Sequence, residues 1–214
     1  TPDDMPVYAY GMRYLPDGAL AVGSTRAGVN GAVRVVPSTG SPVETLAMNL
    51  GTGSFIATHP NGSIYVSDST NQTVLRFSRM GARSTAFMLP MGTLSPTGLA
   101  ISPDGTRLYV GSTVQRRIYE VTLGPAGVAV GTERTYADGL FNGQGLAFDE
   151  CGRLYVTDRD RGRILRIPTG GGTPEVVATR PTTGTFAPWG LAFGRGTGFM
   201  DDALYTVDST SGAI

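Results

Sequence analysis

TGLAISPDGTRLYVGSTVQRRIYEVTLG, residues 97–124, holds the unit from which the whole chain is built. Gly98-Leu99-Ala100-Ile101 is a short apolar run, and Pro103-Asp104-Gly105 is a turn signal. Leu108-Tyr109-Val110 forms a second run and Arg117-Ile118-Tyr119-Glu120-Val121 a third. β-Branched and aromatic residues dominate all three, as strands require. The Asp-Gly step predicts a two-residue hairpin loop, whose central residues need positive φ.

The same unit recurs along the sequence. Leu15-Pro16-Asp17-Gly18 precedes Leu20-Ala21-Val22, and His59-Pro60-Asn61-Gly62 precedes Ile64-Tyr65-Val66. Glu150-Cys151-Gly152 precedes Leu154-Tyr155-Val156, and Asp201-Asp202-Ala203 precedes Leu204-Tyr205-Thr206. The turn glycines Gly18, Gly62, Gly105 and Gly152 lie 44, 43 and 47 residues apart. That period suits a four-stranded propeller blade and is too long for a leucine-rich repeat. A fourth, more polar strand follows in each of the first four copies, at 43–48, 85–89, 133–136 and 175–179. Lower hydrophobicity is what an outer edge strand calls for.

No window carries a 3.6-residue apolar period, so the expected class is all-β: a single β-propeller domain over 1–214 of four-stranded antiparallel blades. Five blades are visible, at about 10–50, 54–92, 97–140, 144–181 and 189–214, the fifth incomplete. Because a toroid must protect its edges, the natural polypeptide is expected to continue past Ile214 and to be six-bladed.

Composition narrows the function classes. Seventeen basic residues balance 17 acidic ones, so no net field recruits nucleic acid or an anionic membrane. All 17 are arginine, which removes lysine-based covalent catalysis. One cysteine, Cys151, rules out an intrachain disulfide and a cysteine-based metal cluster. No apolar run reaches 18 residues, and no membrane-spanning helix is expected. The sequence starts at Thr1 and not at methionine, and the expectation is an exported protein, periplasmic, cell-surface or extracellular.

The Pro-Asp-Gly, Leu-Tyr-Val, Asp-Ser and Arg-Ile elements resemble two overlapping propeller families. One is the NHL-repeat group and the other the senescence-marker-protein (SMP-30)/gluconolactonase group of calcium-dependent hydrolases. The second resemblance implies a divalent metal on the channel axis. It would be held by Asn and Asp side chains just before the glycine of each innermost strand, and by a Glu near the start. The matching positions here are Tyr10, Ser54, Thr97, Gln144 and Trp189, with no carboxylate among them. Hard cations take several oxygens including carboxylates. No metal and no cofactor are therefore expected, unless residues outside this sequence supply calcium ligands.

Those five residues are the candidate ligand-binding ring at one channel mouth, alternatively a plug of mutually satisfied side chains. Asp68, Asp158 and Asp208 end second strands, with Ser24 and Ser112 at the equivalent places. Their repetition reads as structural, accepting loop N–H bonds or pairing with an arginine such as Arg76, Arg163 or Arg166. The run from Asp158 to Gly162 lacks the ligand pattern of a calcium loop. His59, the single histidine, is read as a solvated turn residue, and Cys151 as a turn residue. Arg159, Arg161, Arg163 and Arg166 form the densest basic stretch, read as a salt-bridged loop and not a nucleic-acid surface. The favoured function is a non-enzymatic scaffold that offers a channel mouth or blade face to a protein or a small polar ligand. Its rivals are a metal-dependent lactonase or esterase and a structural subunit of a larger assembly.

Overall fold

The computed structural model describes residues 7–26, 29–51, 55–89, 95–179, 186–194 and 203–209. The first sheet holds β1 (Val7–Tyr14), β2 (Leu20–Arg26), β3 (Val29–Val36) and β4 (Glu44–Leu50). The second holds β5 (Ile56–Thr58), β6 (Ile64–Asp68), β7 (Thr73–Phe77) and β8 (Arg83–Met88). The third holds β9 (Pro96–Ile101), β10 (Arg107–Ser112), β11 (Arg117–Thr122) and β12 (Arg134–Ala137). The fourth holds β13 (Gly143–Phe148), β14 (Leu154–Asp158), β15 (Arg163–Ile167) and β16 (Glu175–Thr179), and β17 (Pro188–Phe193) pairs with β18 (Leu204–Asp208). Each sheet is an antiparallel meander in chain order. The sheets stand in a ring, the arrangement of a β-propeller, and β1, β5, β9, β13 and β17 line the channel.

The apolar runs are explained by where the core sits. It is a series of layers between neighbouring blades. Leu15, Val33 and Val35 pack against Ile56, Val66 and Phe77; Tyr65 and Val74 pack against Leu108 and Val121; Ile118 and Tyr136 pack against Leu146 and Ile167. The middle strands of the second and third blades are thus covered on both faces, and all five residues of β6 are buried. Each such large side chain contributes about 1.5–3 kcal/mol on burial. The outermost strand β16 is exposed at all five positions, as an edge should be.

The hairpins depart from the sequence expectation. In the first blade Leu15 N–H donates to Ala19 O and Gly18 N–H donates to Leu15 O, which encloses three loop residues and not two. Only the glycine has positive φ (Gly18 81°, Gly62 84°). This is the three-residue loop in which a type I turn is followed by a left-handed residue. Asp17 and Asn61 are there as acceptors: their side-chain oxygens take the N–H two residues on, at 3.0 and 2.9 Å.

Candidate functional site

The N-terminal ends of the inner strands surround one mouth of the channel and their C-terminal ends surround the other. At the first mouth the strands bulge. Thr97-Gly98 stand opposite Gly111 alone, Gln144-Gly145 opposite Thr157, and Trp189-Gly190 opposite Val207; Tyr10 is an extra residue between two paired ones. A bulge re-aims side chains, and these bulges carry four of the five ring candidates. The freed N–H groups are absorbed locally, as when Gly145 N–H donates to Thr157 Oγ1 at 2.8 Å. The paired glycines let neighbouring inner strands meet backbone to backbone. A Cβ at Gly98 would overlap the Gln144 carbonyl, and one at Gly145 would fall 2.7 Å from the Trp189 carbonyl oxygen.

Tyr10, Thr97, Gln144 and Trp189 converge on one cleft of about 400 Å³. Ser54 lies outside the described residues. Phe55 joins the ring instead, in the column where the other inner strands have glycine. Its ring lies 5.8 Å from Tyr10 and 6.3 Å from Trp189, and Tyr10 and Trp189 are 5.9 Å apart. Thr97 Oγ1 donates to Gly143 O at 2.8 Å.

Across the cleft from these rings, Gln144 Nε2 donates to Asn142 Oδ1 at 2.7 Å, and Asn142 Nδ2 donates to Asp160 Oδ1 at 3.0 Å. Since the carboxylate can only accept, it orients both amides, and Gln144 Oε1 is left buried with no donor among the described residues. Arg116 lines the cleft, and two more guanidinium groups stack on lining rings. Arg116 lies 4.3 Å and Arg161 3.5 Å from the Phe141 ring centre, and Arg159 lies 4.8 Å from that of Trp189. Among the described residues none of the three forms an ion pair.

Phe55, Phe141, Asn142, Arg116 and Asp160 were not singled out for this mouth by sequence. Phe55 could have been found as the one bulky residue in a glycine column. Of the stretch expected to form a salt-bridged loop, Arg163 and Arg166 find carboxylates, and among the described residues Arg159 and Arg161 do not. The reason is geometric: a tight 3₁₀ turn at Arg159–Arg161 turns those two side chains toward aromatic faces, and the strand that follows turns Arg163 inward.

The blade aspartates do other work. Asp68 accepts from Asn71 N–H at 3.0 Å and from Asn71 Nδ2 at 2.8 Å. Asp158 accepts Phe141 N–H at 2.8 Å and Arg163 Nε at 3.1 Å, and Asp208 accepts Ala187 N–H at 3.0 Å. All three are buried. Ser24 Oγ accepts from Arg34 and Ser112 Oγ from the Gln115 N–H. Arg76 pairs with none of the three aspartates, and its Nε is buried without a partner among the described residues. His59 is not solvated as expected: Nδ1 accepts the Asn61 N–H at 3.0 Å, which leaves Nε2 to donate to Gly105 O at 2.8 Å and tie the second blade to the third. Cys151 is exposed.

The mouth does not fit the divalent metal implied by the resemblance. Asp160 is the one carboxylate among its described lining residues, and it is already held by Asn142. Among the described residues no three His, Cys, Asp or Glu side chains cluster as a metal site, and the adjacent guanidinium groups repel a cation. No helix among the described residues is long and apolar enough to cross a membrane.

A family model described as SMP-30/Gluconolactonase/LRE-like region matches residues 16–191. No curated protein matches the sequence. Among solved structures, a chain of a nidogen/laminin complex superimposes with a TM-score of 0.74 at 20% identity, covering 95% of this chain and 73% of that one. Virginiamycin B lyase from Staphylococcus aureus, solved with quinupristin, gives 0.69 at 18% identity, covering 96% and 65%. A candidate gluconolactonase gives 0.72 at 17% identity, covering 94% and 73%. At such identities the likeness is one of fold.

Proposed function

The chain belongs to the SMP-30/Gluconolactonase/LRE-like family, and from that premise we propose that it is a β-propeller binding module for a small, ring-shaped, negatively charged polar ligand. The observation that carries this reading is one cleft of about 400 Å³ lined by aromatic rings and Arg116, with Arg159 and Arg161 stacked on two of those rings and none of the three ion-paired among the described residues. Tyr10, Phe55 and Trp189 offer flat surfaces to a ring. Arg116, Arg159 and Arg161 offer donors in a fixed planar fork, which suits a carboxylate. The volume suits a monosaccharide-sized molecule.

Trp189 is the single tryptophan, so its fluorescence reports on the cleft directly. Titration with glucuronate is expected to change that emission saturably, and glucose, which lacks the carboxylate, to bind about tenfold more weakly. Equal binding of both sugars, or no response to either, would overturn the reading.

Family membership favours a second reading, a divalent-metal-dependent lactonase or esterase. One tightly held metal ion together with turnover of a sugar lactone would establish it against the first. The likeness to a chain of a nidogen/laminin complex supports a protein partner for a blade face as a further role of the same scaffold.

A further inference from the structure

The opposite mouth holds a second cavity, of about 270 Å³, that the reading above does not use. Arg13, near the end of β1, reaches into it from the channel wall. Its guanidinium donates to the carbonyl of Met12 at 2.9 Å and, across the channel, to those of Leu146 at 3.2 Å and Leu191 at 3.4 Å. A guanidinium has five N–H donors, so three carbonyl contacts leave two for whatever enters the cavity. Neutral carbonyls satisfy hydrogen bonds but do not cancel the charge. Among the described residues Arg13 has no carboxylate partner, and burial pulls it below the usual arginine range.

The cavity walls are apolar, formed by Leu99, Ile101, Phe148 and Phe193. Two acidic residues also line it. Asp149 is closed off by Arg153, whose side chain and N–H both donate to it, at 2.5 and 2.8 Å. Glu150 is exposed at the rim. Neither neutralises Arg13. Arg13 is half-buried, and a cation drawn partly out of water with no carboxylate partner is costly, a cost that an anion arriving beside it lowers.

We propose that this second cavity binds a small organic monoanion with an apolar body, its carboxylate held by Arg13 and its body by the Leu99, Ile101, Phe148 and Phe193 walls. The apolar lining separates this ligand class from the hydroxyl-rich ligand of the first mouth, so the two sites stand or fall independently.

Benzoate is the probe, with benzyl alcohol as its uncharged counterpart. Benzoate at a hundredfold excess over Kd is expected to raise the thermal midpoint of the wild-type chain by about 5–10 °C. Benzyl alcohol should do far less, and Arg13→Met should abolish the benzoate response. No response in the wild type, an equal response in Arg13→Met, or equal responses to the two probes would overturn the proposal. If Arg13→Met does not fold, the Nε–H resonance of Arg13 is followed in the wild-type protein during the titration. A saturable shift there supports the site. Shifts confined to Arg116, Arg159 and Arg161 place benzoate at the other mouth and overturn it.

Discussion

Two populations of arginine divide this molecule. In the walls of the third and fourth blades, guanidinium groups meet carboxylates. Glu120 takes Arg107 at 2.7 Å and Arg134 at 2.8 Å, Asp149 takes Arg153, and Asp158 takes Arg163. At the two ends of the channel, Arg13, Arg116, Arg159 and Arg161 meet carbonyls and aromatic faces instead. All of them are arginines on one propeller, so the difference is not of residue type but of what the fold sets opposite them. Paired charge is committed to holding strands together, and unpaired charge at a concave surface is available to a ligand.

The sharpest way to break this division is to remove a wall carboxylate. Asp158→Ala should cost about 2–4 kcal/mol in urea denaturation, because it strands both Arg163 and the part-buried Phe141 N–H. A negligible loss would erase the distinction between the two populations.

Acid tests the walls together. Burial works to raise the Glu120 carboxyl, but hydrogen bonds from Arg134 and Tyr109 outweigh it and hold the group below its ordinary 4.5. Asp149 is likewise lowered from 3.8, burial being outweighed by the Arg153 N–H and side chain. A carboxyl depressed in the folded state stabilises the fold fully above its ordinary value, and that stability disappears as pH falls through the lowered one. Unfolding midpoints should therefore drop steeply below pH 4.5, and Glu120→Gln should flatten the slope.

A smaller folding effect is expected at the mouth. Arg161→Ala removes only an exposed cation–π contact, about 0.5–1 kcal/mol. It should weaken glucuronate binding about tenfold, as loss of a charge-assisted contact does. A folding loss as large as that of Asp158→Ala would make Arg161 a wall residue in disguise. Smallest of all should be Arg79→Ala. Arg79 bridges Asp17 and Glu44 on the surface between the first two blades, and the midpoint should move by about 1 °C or less.

Much of the architecture was legible in the sequence because a repeat averages over its copies. Five alignments of one strand–turn–strand unit outvote any local irregularity, and the four-stranded meanders follow from them. The hairpin loops were misread by one residue, since Asp-Gly suits a two-residue loop as well as the last two places of a three-residue one. The site was legible only where it shares the repeat. Tyr10, Thr97, Gln144 and Trp189 are equivalent positions in four copies, and they do converge on one cleft.

What the repeat could not carry is whatever breaks it. Phe55 replaces a glycine, Arg116 and Phe141 sit in loops of unequal length, and His59 leans onto the next blade. Local sequence alone determined strand, turn and blade, because hydrophobic period and turn chemistry act over a few residues. Which arginine meets a carboxylate and which is left facing a channel is decided by contacts up to 178 residues apart, such as Arg13 with Leu191. Only the close packing of neighbouring inner strands, as in the backbone contacts at Gly98 and Gly145, brings such groups within reach of one another. The sequence thus determined that a channel exists, and the tertiary structure decided that, among the described residues, its ends carry arginines with no carboxylate partner.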